Sequence, residues 1–335
     1  MAAADSVKKQ AMQDQKPLSQ RLQDVFLSQE GILFVILVVT VLVLSTTNEN
    51  FLTTQNLFNQ GRLLAEVGLM ALPMTFIIIT GGIDLSVGSI LGLSAILTGY
   101  VWNNLGLPLE LAIVIAILAG CLAGFMNGFF IVRLSVPPLI MTLATLALYR
   151  GLAQGISEAR SVTGYPEWFF FLGQGEILGV PTQIWILGIA IVVTTIILSR
   201  TTFGRTLYAI GNNAVGARFS GLPVERVTLM IYTFSGMMAG LSGVIFVSRF
   251  TTTRSDMGSG LELDAIAAVV LGGTSIFGGK GSIIGTVIGL VVIQLLKNGM
   301  AINGVTGDAT IVVIGSVLIV AILVNNLIQR LRQAE

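Results

Sequence analysis

The chain has 335 residues, 54% hydrophobic and 10% charged, where an ordinary soluble domain carries about 25% charged residues, so a soluble globular fold is excluded. A net charge of +1 offers no basic surface for nucleic acid. With no histidine and a single cysteine, Cys121, the chain cannot supply a His/Cys metal cluster, a disulfide or histidine-based catalysis.

Residues 1–30 form a polar lead, in which Asp5, Lys8, Lys9, Asp14 and Lys16 precede any apolar run, unlike a cleavable signal peptide. Leu18, Leu22, Val25 and Phe26 have the spacing of an amphipathic helix lying on a membrane, although a solvated tail fits equally well. A crossing of roughly 30 Å of hydrocarbon needs about 20 apolar residues. Apolar runs predict helices over 31–46, 62–80, 86–104, 109–132, 136–155, 183–199, 228–248, 262–277, 281–301 and 308–328. The expected fold is therefore an all-α polytopic membrane protein of about ten transmembrane helices, its membrane domain filling residues 31–329. The third and eighth runs are the weakest, broken by Gly82, Asp84, Gly88 and Gly92 and by Asp264, Gly272 and Gly273.

Ten crossings put both termini on one side. That side holds Lys8, Lys9, Lys16, Arg21, Arg133, Arg200, Arg205, Arg218, Arg226, Lys280, Arg330 and Arg332, a two-thirds share of the 18 basic residues, so the termini are expected to be cytoplasmic. The longest external connection, 156–182, carries Tyr165, Trp168, Phe169, Phe170 and Phe171, a cluster expected to dip into the headgroups. Glu66, Arg150, Asp264 and Lys297 fall near span ends and are expected to anchor there by snorkelling, leaving no carboxylate at the membrane centre for proton coupling.

Two segments break the apolar pattern. In TGGIDLSVGS, 80–89, two glycines free the backbone, Asp84 brings a carboxylate to the membrane edge, and Ser86 can cap the next helix; a plain capped turn would use the same residues. AAVVLGGTSIFGGKGSIIGTVIG, 267–289, repeats the theme of a glycine break and a helix start, a hint of internal duplication. Asn127, Thr142, Thr145, Thr274 and Gln294, with Asp84 and Ser86, supply the hydroxyls and amides that would suit a path for a neutral polar solute; bonding between helices is the commoner use of such groups.

The connection 200–226 is too polar to span. Asn212 or Asn213 can cap a short helix over 214–220 that Gly221 and Pro223 end. Its exposed face is expected to carry Ala214, Ala217 and Ser220 with Arg218, small side chains suited to another protein's groove; an ordinary basic loop is the alternative.

ITGGIDLSVGS (79–89), AIGNNAVGARFSGLPVER (209–226), RSDMGSGLELDAIAAVVLGGTSIFGGKGS (254–282) and the NG at 127–128 together make the chain resemble the ribose-type permeases of ATP-binding-cassette importers, a family that also carries other monosaccharides and autoinducer-2. The resemblance covers about Phe51 to Gln329. It implies a non-enzymatic permease of a prokaryotic inner membrane, paired with a second copy or paralogue. It also implies a cytoplasmic ATPase, usually of two fused cassettes, that binds ATP and Mg, so that this chain needs no cofactor, metal or catalytic residue of its own. An extracytoplasmic solute-binding protein completes the set. By the same resemblance the segment Gly211, Asn212, Asn213, Ala214, Ala217, Arg218, Phe219, Ser220 and Gly221 is the coupling helix that docks on the ATPase. A self-sufficient carrier or channel would be expected to show an ion site within its spans, and a membrane enzyme would need a catalytic constellation.

Overall fold

A computed structural model describes residues 29–305 and, beyond them, 307, 309–316 and 319. The polar lead, apart from its last two residues, lies outside the described residues, as does much of the run at 308–328, of which 309–316 are helical. Among the described residues, and besides the helical stretch 309–316, twelve α-helices are bounded: α1 Gln29–Thr47, α2 Thr54–Ile79, α3 Val87–Gly99, α4 Leu109–Arg133, α5 Pro138–Ser157, α6 Glu167–Gln174, α7 Thr182–Arg200, α8 Thr202–Asn212, α9 Ala214–Phe219, α10 Val224–Phe250, α11 Leu261–Leu271 and α12 Ile283–Ile302. Among the described residues six of them, α2, α4, α5, α7, α10 and α12, are long and apolar enough to cross a membrane.

Of the two weak runs, the third is helical over its expected length, and the eighth is shorter than its apolar sequence suggested. α3 has 13 residues and continues as a π-helical turn, Tyr100–Asn104. α11 has 11 residues, about 16 Å of helix, and stops where Gly272 is followed by Gly273 at φ +92. Each is joined to a glycine break, and non-helical backbone is tolerated in lipid only where protein covers it. The two breaks meet, the Gly279 N–H donating to the Ile79 carbonyl at 2.9 Å, while Gly81, Phe277 and Lys280 stay exposed.

α2 and α10 form the buried centre of the bundle, while α4, α5 and α7 turn Leu118, Leu122, Ile140, Leu143, Ile189 and Val192 outward. Outward apolar residues need no partner where the solvent is hydrocarbon. What holds such helices together is close packing, and small residues supply it. Gly120, Gly124 and Gly128 repeat every fourth residue along α4; the first two face Gly236 and Gly240 of α10 and the third Leu229, so closely that a Cβ on Gly124 would lie 2.9 Å from the Gly236 nitrogen.

The long connection 156–182 is more ordered than an interfacial loop. Leu178 and Gly179, both at positive φ, turn a two-residue hairpin that pairs β1 Glu176–Ile177 with β2 Val180–Pro181. Of the aromatics expected among headgroups, Tyr165 and Phe169 are buried, Tyr165 stacking on Trp102 at 4.6 Å, and Trp168 and Phe171 remain exposed.

Candidate functional site

The break after α2 holds a buried polar cluster. Asp84 is fully buried; its Oδ1 accepts the Ser86 N–H at 3.0 Å and the Ser86 hydroxyl at 2.6 Å, and its Oδ2 accepts the Ser235 hydroxyl of α10 at 3.0 Å. Ser86 occupies the cap position of α3 but makes no capping bond, contrary to expectation; its own N–H and hydroxyl are both engaged by the Asp84 carboxylate. Asn127 of α4 donates Nδ2 to Ser86 Oγ at 2.8 Å, Tyr149 of α5 donates to the Ala123 carbonyl at 3.0 Å, and Thr142 of α5 donates to the Ile83 carbonyl at 3.1 Å. Asn127 lies six residues from the end of α4 and Ser235 eleven from the start of α10, about 9 and 16 Å of helix, so Asp84 sits inside the bundle and not at its edge.

Four of the seven polar residues read as a path, Asp84, Ser86, Asn127 and Thr142, therefore meet, and the rest lie apart. Thr145 bonds the Met141 carbonyl of its own helix, Thr274 is buried beside Gly281, and Gln294 donates to Gln60 at 2.7 Å in a separate polar seam between α12 and α2. Ser235 and Tyr149 were missed, since a hydroxyl on an apolar helix carries no sign of its partner. The small residues Ser235, Gly236, Ala239, Gly240, Ser242 and Gly243 interspersed along α10 were the available signal.

The ionisable residues do not snorkel, and this corrects the anchoring reading. Glu66, 2% exposed, accepts from Arg249 Nε at 2.5 Å and Nη2 at 2.9 Å, tying α2 to α10, and Arg249 lies 4.0 Å over the Phe250 ring. Lys297 pairs with Asp264 across α12 and α11, and Arg150 donates to the Ser255 and Met257 carbonyls at 2.9 and 2.6 Å. Outside the spans, in the loop after α10, the hydrogen bond from Arg254 holds the Asp256 carboxyl below the usual carboxylate range. Removing one partner of a buried pair leaves an unpaired charge and costs about 3–5 kcal/mol. Glu66→Ala is accordingly expected to lower the melting temperature of the detergent-solubilised protein sharply, with Glu66→Leu/Arg249→Met recovering most of the loss; a double variant no more stable than the single would refute that account.

At the end of the bundle where α2 stops, the segment 201–223 folds as two capped helices. Thr201 accepts the Gly204 N–H at 3.2 Å to start α8, and Asn213 accepts the Gly216 N–H at 2.8 Å to start α9, which ends at Gly221 with φ +79. The expected docking face needs revision. Ala217, 6% exposed, packs inward with Leu207, Ile210 and Val227, while Phe219, 88% exposed, and Val215, 66% exposed, project outward with Ala214 and Ser220. Arg218 pairs with Glu225 at 3.3 Å. α8 rests on both glycine breaks: Tyr208 Oη donates to the Gly281 carbonyl at 2.8 Å, and Gly211 is wedged between the Ile79 carbonyl and the Gly279 nitrogen, with no room for a Cβ.

Three segments distant in sequence thus meet at one end of the bundle, and comparison with known proteins gives this arrangement a family. The family model described as the branched-chain amino acid transport system / permease component matches residues 56–322. The ribose import permease protein RbsC of Bacillus subtilis is 43% identical over 295 residues, 87% of this chain and 91% of that protein. RbsC of Escherichia coli K12 is 38% identical, covering 87% and 91%, and the autoinducer 2 import system permease protein LsrD of Photorhabdus luminescens is 33% identical, covering 88% and 90%. No solved structure matches. With most of its length aligned to these relatives, the chain belongs to this family of multi-pass transport permeases, among its ribose-type members.

Proposed function

We propose that this chain is the membrane-spanning subunit of an ATP-driven importer that carries a monosaccharide of the ribose kind, or a related small polar solute such as autoinducer-2, across the inner membrane. The observation that supports this best is α9, a rigidly capped helix with apolar Val215 and Phe219 turned outward at a polar end of the bundle, a face that a self-sufficient carrier would leave unexplained. Gly211 to Gly221 are assigned the coupling role. The partners are a cytoplasmic ATPase of two fused cassettes that holds ATP and Mg, a second permease copy or paralogue, and an extracytoplasmic binding protein. Both termini are assigned to the cytoplasm from the charge bias.

In this reading, cassette closure moves α9 and α8 together, and the contacts of Gly211 and Tyr208 pass the displacement to Ile79 and the 279–281 turn, the ends of both broken helices. The Asp84 cluster sits just beyond the first break, and Asp84, Ser86, Asn127 and Thr142 are the groups assigned to the solute path, with Thr145, Thr274 and Gln294 as outlying members. The test is co-purification of the tagged chain from native membranes in mild detergent. A cassette ATPase is expected with wild type and not with Gly221→Val, whose φ of +79 a branched side chain rarely adopts. Absence of any ATPase with wild type, in several detergents, would overturn the reading.

A further inference from the structure

An apolar cleft of about 360 Å³ opens between α2, α7, α8 and α10, lined by Phe76, Ile197, Phe203, Met230 and Phe234 among others. Phe76 and Phe234 stack at 6.2 Å with 22° between their planes and form one wall; Met230, 57% exposed, forms an adaptable rim. The cleft lies at the end of the bundle that carries α8 and α9. We propose that it holds one acyl chain of an anionic phospholipid whose phosphate is gripped by Arg226 and Arg200, an assignment independent of the transport reading.

The charges decide the occupant. In a membrane an apolar groove gives little preference by itself, because lipid tails are as apolar as its walls. Selectivity must come from the mouth. Arg226 lies four residues before Met230 on α10, hence on the same face and one turn nearer the polar end, and Arg200 directly precedes Thr201, another lining residue. Both arginines are exposed, and neither belongs to an ion pair among the described residues. The adjacent carboxylate, Glu225, is already engaged by Arg218. Two free guanidiniums at the mouth of a hydrocarbon-lined slot match a phosphate diester above an acyl chain, since guanidinium and phosphate form strong charge-assisted bonds. Phe203 belongs to α8, so the bound lipid touches the same helix that rests on both glycine breaks.

The test is native mass spectrometry of the purified transporter with dioleoyl phosphatidylglycerol or dioleoyl phosphatidylcholine added at equal ratio. Wild type is expected to retain phosphatidylglycerol over phosphatidylcholine by about fivefold per arginine. Arg200→Gln/Arg226→Gln is expected to abolish that preference, and Met230→Trp, which fills the cleft without touching charge, to reduce retention of the lipid severalfold. Equal retention of the two lipids by wild type, an unchanged preference in the double arginine variant, or full retention by Met230→Trp would each overturn the proposal. So would efficient disulfide formation between two copies of Met230→Cys in a Cys121→Ala background, which would assign the cleft to a second copy of the chain.

Discussion

A Phe219→Glu subunit is expected to insert and fold as the wild type does while its hold on the cassette ATPase falls at least about thirtyfold, in line with the loss of one buried aromatic anchor at a protein interface. Phe219 is 88% exposed and touches nothing that the fold depends on; Ala217, on the opposite side of the same short helix, is what fastens α9 to the body. An aromatic ring left in water on a helix capped at both ends gains from any groove that covers it, and a carboxylate placed there would be desolvated without a partner. The measurement is the amount of ATPase retained on the tagged subunit, together with ATP hydrolysis by the reconstituted complex. Phe219→Leu keeps the apolar contact and should retain most of both. Undiminished retention with glutamate at 219 would remove α9 from the interface, whereas a loss equal in the leucine and glutamate variants would point to general damage.

The revision at α9 shows where sequence stops being legible. The caps at Asn213 and Gly221 are local, set by side chain and backbone within a few residues, and both stand where the pattern put them. Which face turns inward depends on Leu207 and Val227, brought alongside by the path of the chain, and a six-residue helix of small and mixed side chains has no stripe strong enough to declare it. The long spans were legible for the same local reason: twenty apolar residues can do little else in this composition. α11 was overestimated because apolar sequence continues past its end, and only the glycine geometry at 273 says that the helix does not. The Glu66 and Arg249 pair is separated by 183 residues and left no trace in either neighbourhood, so Glu66 looked like a span-end anchor. The same holds for Asp84, whose partner Ser235 lies 151 residues away. Nor does any local pattern say which helices meet through glycine; that Gly120 and Gly124 of α4 face Gly236 and Gly240 of α10 is visible only in the structure.

Gly124→Leu is expected to be among the most damaging single substitutions in the membrane domain, leaving little or no folded protein. A Cβ at 124 would overlap the Tyr232 carbonyl and stand 2.9 and 3.0 Å from the Gly236 nitrogen and Cα, all backbone atoms of α10 that cannot rotate aside. Extra methylenes in a packed core cost about 1–3 kcal/mol when neighbours can yield; here only separation of the two helices accommodates them. That separation would reach the polar cluster too, since Ser235 of α10 and Asn127 of α4 approach the Asp84 and Ser86 pair from opposite helices of this seam. The hydroxyls and amide would be left buried and unpaired, adding roughly 1–3 kcal/mol for each group. Gly188 supplies the control: it lies inside α7, and a Cβ there meets nothing within 4 Å. Gly188→Leu should therefore fold as well as wild type, or slightly better, because leucine replaces the poorest helix former short of proline. Fluorescence-detected size-exclusion profiles and steady-state levels of the two variants, expressed side by side, decide the matter. Equal damage in both would mean that glycine matters here for helix flexibility, and a monodisperse Gly124→Leu protein with unchanged melting temperature would mean that α4 and α10 are not held by backbone contact.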